Sequence, residues 1–312
     1  MSEPTKSSPV ICFGEILWDI LPSGTLPGGS PLNVAYHLRM LGMDPVLITK
    51  VGLDIPGKKI IELLEFNNMS TEFFQMDDSL PTGKVTATID GLKEISYEIT
   101  RSVAWDNITW DPGFEKLVAE SKYFIFGTLA ARSRVSSDTL FRLLEIAPFK
   151  VLDINLRSPH FNRSTVEDLL QKTDMLKLNL SELELITGWF TKHPSEADRI
   201  QALQDKFNLR DIIVTKGANG STMYLNGHVY TQPGLSIQVT DTVGSGDAFL
   251  AGLIFKFIYS TSIEEALVFA NAVGALIATL PGGCPEYKVS DIGEINSNNN
   301  NDNNNLILPA IQ

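Results

Sequence analysis

Short apolar runs alternate with helical patterns along most of this chain, and this alternation is the feature that most constrains its fold. The runs are four residues long and rich in β-branched and aromatic side chains, which is typical of buried strands. Alternation with helices predicts right-handed crossovers and a parallel sheet covered on both faces. The predicted strands are 10–13, 46–49, 123–126, 150–153, 175–178 and 212–215, and the predicted helices are 31–41, 57–66, 136–146, 165–171, 181–187 and 195–207.

One region does not follow this alternation of strands and helices. Residues 84–89 and 94–99 alternate apolar and polar side chains and flank Asp90-Gly91, a hairpin turn signal. We therefore expect a small β lid, built from parts of about 16–32 and 82–106, on a single α/β domain spanning 1–295. Such lids commonly exclude water from a reaction site. The Asn-rich stretch 296–312 lacks apolar periodicity, so we expect it to be disordered.

Composition excludes several classes of protein. The net charge of −12 and pI near 4.8 argue against a surface built for nucleic acid or anionic lipid, so neither is an expected partner. Cys12 and Cys284 are too isolated for a disulfide framework, and the four His show no zinc-ligand spacing. The apolar run at 10–13 is too short for a signal peptide or membrane span. We expect a cytoplasmic protein.

The segment Asp241-Thr-Val-Gly-Ser-Gly-Asp247 precedes an apolar run with helical spacing. Gly244, Ser245 and Gly246 therefore lie at a helix N-terminus, where unpaired N–H groups and the helix dipole favour a phosphate. A carboxylate there repels an anion, and Asp247 makes sense as a general base that takes a proton from an attacking hydroxyl. An ordinary helix start with a dipole-favoured acid is the alternative, and the motif alone leaves both open.

A second segment, Pro27-Gly-Gly-Ser-Pro-Leu-Asn33, leads into a predicted helix. Gly28 and Gly29 permit close approach of the backbone to a ligand, and Pro31 suits a first helical turn. Asn33 offers donors and an acceptor, as a polyol requires. A tight turn before a helix is the alternative for this segment taken alone.

Together the two segments resemble the two signatures of the ribokinase-like (PfkB) family of carbohydrate kinases, in the same order and separation. The resemblance runs from about residue 11 to 285. Asp153-Ile-Asn-Leu-Arg157, Asn179-Leu-Ser-Glu182 and Val214-Thr-Lys-Gly217 also fall where the family's middle motifs fall. The resemblance implies a ribokinase-like α/β fold, a mostly parallel sheet with helices on both faces and a β-sheet lid. It also implies transfer of the ATP γ-phosphoryl group to a sugar.

The resemblance further implies roles for individual residues. Asp247 matches the catalytic base, and Gly244, Ser245 and Gly246 match the anion hole. Asn179 and Glu182 resemble the motif that holds Mg²⁺, commonly through water, and a capping acid is the alternative for Glu182. The positions that match sugar contacts are Asp19, Gly29 and Asn33. The positions that match nucleotide contacts are Asn179, Thr215, Gly217, Gly244, Gly246 and Asn271. Asp241 resembles the K⁺ site of some relatives.

Ser30 and Pro31 occupy positions where the ribose-specific branch has Lys and Gly, and fructokinases resemble this chain there. Arg101 and Arg157 lie in segments similar to those of fructokinases, where Arg101 would face the open end of the sugar and Arg157 would bridge sugar and phosphoryl groups. Surface positions are the alternative for both, more so for Arg101. We therefore expect D-fructose to be converted to fructose 6-phosphate. A 2-keto-3-deoxygluconate kinase is the second candidate, because a carboxylate would also favour Arg.

Ribokinase and a non-catalytic sugar- or nucleotide-binding regulator remain further alternatives. The regulator is disfavoured because Asp247 and its neighbouring glycines are present. A dinucleotide-dependent dehydrogenase is weaker still, since Gly14-Glu-Ile-Leu-Trp-Asp19 lacks the glycine pattern that should follow the first strand. The lid would pair with a second subunit in a homodimer, or close over the sugar in a monomer, and the sequence leaves both open.

Overall fold

The structure is a computed structural model that describes residues 9–21, 24–89, 95–192 and 195–304. A nine-stranded sheet forms its centre, in the order β13-β12-β11-β10-β9-β8-β1-β4-β5. The strands from β11 to β5 in this order are parallel, and β12 pairs antiparallel with both β11 and β13. These strands are β1 (Val10–Phe13), β4 (Val46–Gly52), β5 (Phe74–Asp77), β8 (Tyr123–Gly127), β9 (Lys150–Asp153), β10 (Met175–Asn179), β11 (Asp211–Thr215), β12 (Ser221–Leu225) and β13 (His228–Gln232).

Helices cover both faces of this sheet, as the sequence predicts. Successive residues of β1 show why: Val10 and Cys12 pack into one apolar cluster, and Ile11 and Phe13 into another. The first cluster joins the sheet to α1, α2, α8 and α9, and the second joins it to α3–α7. The helices are α1 (Ser30–Met40), α2 (Ile55–Phe66), α3 (Gly113–Ala119), α4 (Arg134–Leu144), α5 (Arg163–Gln171), α6 (Leu180–Thr187), α7 (Glu196–Phe207), α8 (Ser245–Ile258), α9 (Ile263–Ala278) and α10 (Val289–Asn304).

All six predicted strands and all six predicted helices of the alternating pattern are present, with ends displaced by up to three residues. The largest displacement is in β4, which continues beyond residue 49 to Gly52. The mostly parallel sheet between helical layers is therefore confirmed. The carboxyl ends of β1, β9, β10 and β11 meet at one edge of the sheet, where ligands bind in folds of this kind.

A separate four-stranded sheet has the order β3-β2-β6-β7 and is called the small sheet below. It comprises β2 (Leu17–Leu21), β3 (Gly24–Gly28), β6 (Gly83–Ile89) and β7 (Ile95–Ile99), which fall within the two segments expected to form a lid. β6 and β7 pair antiparallel, as the hairpin signal predicts, although the Asp90-Gly91 turn lies outside the described residues.

The chain differs from expectation at residues 296–304. The sequence predicts no regular structure there, yet α10 continues to Asn304. Ile292 is buried against a cluster that includes α9, so packing anchors the first turns and the backbone continues the helix. The remaining residues of the predicted tail, 305–312, lie outside the described part of the chain. No helix in the described ranges is long and apolar enough to cross a membrane.

Asp54 joins the small sheet to α2. Its side chain caps α2 by accepting from the N–H of Gly57 at 2.8 Å, and it also accepts from the N–H of Thr82 at 2.9 Å, just before β6. Replacing Asp54 by Ala should lower the free energy of unfolding by about 1–2 kcal/mol, because helix and sheet lose a shared acceptor. Chemical denaturation would measure this, with Asp78→Ala as an exposed control. Equal stability of the two variants would contradict the expected role.

Candidate active site

Asp247 lies at the start of α8, and two groups from the start of α1 hold its carboxylate. Ser30 Oγ donates to Oδ1 at 2.6 Å, and Asn33 Nδ2 donates to Oδ2 at 2.7 Å. All three side chains are buried. Burial and the Asp153 carboxylate raise the pKa of Asp247, whereas Lys177 and the two donors act in the opposite direction. The structure therefore brings the two sequence signatures into direct contact.

The turn before α8 leaves the helix N-terminus open towards a ligand. Gly244 caps the helix in the left-handed conformation with φ 75°, which favours glycine. A Cβ on Gly244 would lie 2.6 Å from the Cα of Gly283, so the contact with that backbone also excludes a side chain. Ser245 N–H bonds to Thr242 O at 3.3 Å. The next N–H groups, of Gly246 and Asp247, belong to the first helical turn and have no carbonyl within the helix to bond.

A buried lysine adds positive charge to this end of α8. Lys177 Nζ donates to Asp153 Oδ2 at 2.6 Å, and both side chains are almost fully buried. A Cβ on Gly246 would lie 3.2 Å from the same Nζ. Although burial opposes its charged form, the neighbouring Asp153 and Asp247 carboxylates raise the pKa of Lys177. The ammonium group therefore stays charged beside the turn, where an anion would need it in a chain of net charge −12.

The paired glycines make room for the protein's own groups. A Cβ on Gly28 would lie 2.1 Å from Asp19 Oδ2, and a Cβ on Gly29 would lie 2.4 Å from Glu15 O. Gly29 also has φ 114°. The sequence predicts that a ligand approaches these glycines closely, whereas in the structure Asp19 and Glu15 approach them.

Asp19 lies on β2, so strand pairing fixes its backbone. Burial raises its pKa to about 6, with Arg157 opposing and Asp241 and Asp247 adding to the shift. Asp19, Asp241, Asp247 and Arg157 thus influence one another electrostatically. The small sheet in this way contributes a carboxyl group whose protonation depends on the charges at the start of α8.

Glu15, which follows β1, holds the backbone at the start of α1. Its Oε1 accepts from the N–H of Ser30 at 3.2 Å, and its buried Oε2 has no hydrogen-bond partner among the described residues. Burial raises the pKa of Glu15 to about 7. Glu15 therefore anchors the backbone of the residue whose hydroxyl bonds to Asp247.

Four predicted nucleotide-contacting residues line one cavity of about 570 Å³ on the other side of the α8 turn. Gly246 forms part of its wall, Thr215 ends β11, and Gly217 follows with φ 55°. Asn271 of α9 is held by its Nδ2, which donates to Ser221 Oγ at 2.8 Å and to Leu267 O at 2.9 Å. A cavity of this size fits a nucleotide.

Asn179 and Glu182 form a capping box at the start of α6. Asn179 Oδ1 accepts from the N–H of Glu182 at 2.9 Å, and Glu182 Oε2 accepts from the N–H of Asn179 at 2.8 Å. Glu182 Oε1 accepts from the N–H of Leu156 at 2.9 Å. The capping alternative is therefore observed. A carboxylate oxygen that accepts one bond can still accept from metal-bound water, so the residues fit indirect contact with Mg²⁺.

Asp241 is held by two backbone groups: Oδ1 accepts from the N–H of Val243 and Oδ2 from that of Gly282, each at 3.0 Å. It thereby joins the turn before α8 to the segment after α9. Across the described ranges, no cluster of three or more His, Cys, Asp or Glu side chains is arranged to hold a metal ion. Any cation at Asp241 would therefore also need other oxygen ligands, such as backbone carbonyls.

Arg101 lies apart from these groups. Its Nη2 donates to Pro159 O at 3.2 Å, and it lines a second cavity together with Arg132 and His160. Arg157 lowers the pKa of Asp19 electrostatically, whereas the contacts of Arg101 are with Pro159 and the residues of this second cavity.

Sequence reasoning missed two members of the site. In the sequence, Ser30 only distinguished the fructokinase pattern from that of the ribose-specific branch. In the structure, its hydroxyl donates directly to Asp247. Lys177 was counted as part of a buried strand. A lysine inside an otherwise apolar four-residue strand was the available signal, because lysine is almost never fully buried unless it is paired.

Comparison with known proteins agrees with this geometry. Residues 24–288 match the pfkB family of carbohydrate kinases, and the chain belongs to this family. It is 28% identical to probable fructokinase-7 of Arabidopsis thaliana, over 90% of each chain. The fold is similar to that of a Xylella fastidiosa fructokinase with bound ATP, with TM-score 0.82, 21% identity, and coverage of 94% of this chain and 99% of the other.

The fold is also similar to that of a Vibrio cholerae fructokinase double mutant in fructose, ADP and potassium ion bound form. That match has TM-score 0.80 and 21% identity, and covers 94% of this chain and 99% of the other. Membership of the family makes the protein a sugar phosphotransferase. The functional site is therefore a site of phosphoryl transfer to a sugar.

Replacing Ser30 by Ala should shift the acidic limb of kcat/KM for sugar phosphorylation to higher pH. A base works in its ionised form, and loss of a donor to Asp247 further raises the pKa of that carboxyl group. The pH–rate profile would be compared with those of the wild type and of Ser290→Ala, an exposed serine on α10. An unchanged acidic limb would contradict the link between Ser30 and the base.

Proposed function

We propose that this protein is an ATP-dependent kinase that transfers the γ-phosphoryl group to the primary hydroxyl of D-fructose, giving fructose 6-phosphate. The observation that carries the proposal is the position of Asp247. Its carboxylate lies at the N-terminus of α8 and is held by Ser30 and Asn33 of the other signature. The α8 turn also lines the nucleotide-sized cavity, and the charge of Asp247 raises the pKa of Asp19.

In the proposed reaction, Asp247 takes the proton of the sugar hydroxyl as its oxygen attacks the γ-phosphorus. The bond between this phosphorus and the bridging oxygen breaks, and ADP leaves. The open N–H groups of Gly246 and Asp247, in the turn formed by Gly244, Ser245 and Gly246, stabilise the charge on the transferring group together with the nearby Lys177 ammonium. Catalysis of this transfer is mostly positioning and charge stabilisation, which suits a site with a rigid helix terminus.

On the sugar side, Asp19, Gly29 and Asn33 are proposed to contact the substrate. Asp19 is ionised above about pH 6 and would accept bonds from sugar hydroxyls. Arg157 is proposed as a further contact of the sugar, because its charge lowers the pKa of Asp19. Arg101 would reach the open end of the sugar only if it left Pro159.

On the nucleotide side, Thr215, Gly217 and Asn271 are proposed to contact ATP, because they line one cavity with Gly246. Asn179 and Glu182 would hold Mg²⁺ through water, and Asp241 with backbone carbonyls would hold K⁺. The bound metal would neutralise phosphate charge. The potassium in the Vibrio cholerae relative supports the K⁺ proposal.

Fructose is preferred over the keto acid because the relatives named above are fructokinases and one was crystallised with fructose. A 2-keto-3-deoxygluconate kinase is the second candidate, favoured by a specific feature: Arg101 and His160 line one cavity that would suit a carboxylate, beside Arg132, which is paired with Asp106. Ribose and a non-catalytic regulator are less well supported.

The proposal also includes the cytoplasm as location, supported by two free cysteines. It further includes a homodimer formed through the small sheet. Tyr97, an exposed aromatic side chain on β7 at one edge of this sheet, supports the dimer.

A direct assay tests the substrate. With ATP and Mg²⁺, we expect ADP release on fructose to exceed that on 2-keto-3-deoxygluconate, ribose, glucose and adenosine. Asp247→Asn should lower kcat by at least roughly 10²-fold while leaving sugar and ATP binding near normal, because only the proton acceptor is lost. Asp205→Asn, exposed on α7, is the matched control.

Each contrary outcome is informative. Preference for the keto acid would replace fructose with the second candidate, and no turnover on any sugar would indicate a regulator. Retention of kcat by Asp247→Asn would refute its role as the base.

Lys177→Met should lower kcat by about 10²-fold, the usual scale for loss of a charge-stabilising group. The single variant leaves Asp153 buried and unpaired, so the double variant Asp153→Asn/Lys177→Met separates folding from catalysis. We expect the double variant to recover thermal stability but not kcat, as measured by thermal unfolding and steady-state kinetics. Recovery of both would show that Lys177 serves only the ion pair.

A further inference from the structure

His37 is a fully buried titratable residue that the proposed reaction does not use. It lies on α1, one turn after Asn33, so both side chains project from the same face of the helix. Both reach the same stretch of chain after α9. Asn33 Oδ1 accepts from Cys284 Sγ at 3.2 Å, and His37 Nε2 contacts Gly283 O at 2.9 Å.

The partners of His37 determine which ring nitrogen carries the proton. Gly283 O can only accept, so Nε2 must donate. In a neutral ring, Nδ1 then accepts from the hydroxyl of Tyr287, at 3.2 Å. Burial lowers the pKa of His37 to about 4, with the Gly283 contact opposing, which agrees with a neutral ring. The ring is thus a fixed link between α1 and the segment 283–287.

Gly283 lies between the two halves of the site. A Cβ on Gly283 would lie 2.7 Å from Asn33 Nδ2, the atom that donates to Asp247. A Cβ on Gly244 would lie 2.6 Å from Gly283 Cα on the other side. The Gly283 backbone therefore separates the amide that holds the base from the turn that forms the anion hole. Any group that holds the Gly283 backbone in place therefore also sets the distance between the Asn33 amide and the turn before α8.

We propose that His37 is a positioning residue: by donating from Nε2 to Gly283 O, it holds this backbone between Asn33 and Gly244. Asp247 and the N–H groups of the α8 turn thereby keep their relative placement during phosphoryl transfer. The catalytic part of this inference rests on the proposed function of Asp247. Tyr287 orients the ring from the other nitrogen and contributes less, because its hydroxyl does not touch Gly283.

Three variants separate positioning from stability. His37→Gln keeps a donor near the position of Nε2, His37→Met removes it at similar size, and Tyr287→Phe removes only the bond to Nδ1. We expect His37→Met to lower kcat about tenfold with both KM values changed less than about twofold, because the lost contact matters mainly in the transition state. His37→Gln should stay within about threefold of wild type, and Tyr287→Phe within about twofold. His37→Asn, too short to reach Gly283, replaces the Met variant if that protein does not fold.

Hydrogen exchange of residues 282–287 gives a readout that does not depend on turnover. Exchange should be faster in His37→Met than in wild type, and close to wild type in His37→Gln. A Met variant with lowered thermal stability but wild-type kcat and exchange would overturn the proposal. So would a Gln variant as slow as the Met variant. If the wild type phosphorylates no sugar, the proposed function and the catalytic part of this inference fail together, and exchange alone decides whether His37 holds Gly283.

Discussion

The contact between the Asp247 carboxylate and the start of α1 is the interaction around which the site is built. Ser30 and Asn33 bring two donors to a carboxylate that lies at the N-terminus of α8, 217 and 214 positions later in the sequence. The parallel sheet makes this possible, because α1 and α8 pack on the same face of it. The contact joins the sugar-side turn to the phosphate-side turn.

Burying this carboxylate is costly, and the surroundings offset the cost in ways that suit catalysis. Its two donors satisfy one site on each oxygen, and the Lys177 ammonium lies nearby with Asp153 as its own partner. The raised pKa of Asp247 is a consequence of burial, and a raised pKa makes a carboxylate a stronger base. The glycines at positions 28, 29 and 244 let backbone and carboxyl groups approach closely enough for this arrangement.

Periodicity and motifs predicted a large part of this structure. Buried strands such as β1 and helices such as α1 follow from local patterns, and the two signatures predicted Asp247 and Asn33 as members of one site. The hydrogen bond from Ser30 could not be predicted, because it depends on how α1 meets α8. The small sheet was predicted only as two approximate segments, because the bounds of short strands such as β2 depend on pairing with β6. Residues 296–304 show the same limit, since packing of Ile292 sets the start of a helix that Asn propensity does not favour.

A crystal structure of the protein with fructose, ADP, Mg²⁺ and aluminium fluoride would test the central claim most directly. The account predicts that the primary hydroxyl oxygen of the sugar lies within hydrogen-bond distance of the Asp247 carboxylate, at about 3 Å or less. It also predicts that the fluoride group, which mimics the transferring phosphoryl, faces the N–H groups of Gly246 and Asp247. A sugar whose hydroxyl contacts another residue instead, or a fluoride group bound away from α8, would contradict the account.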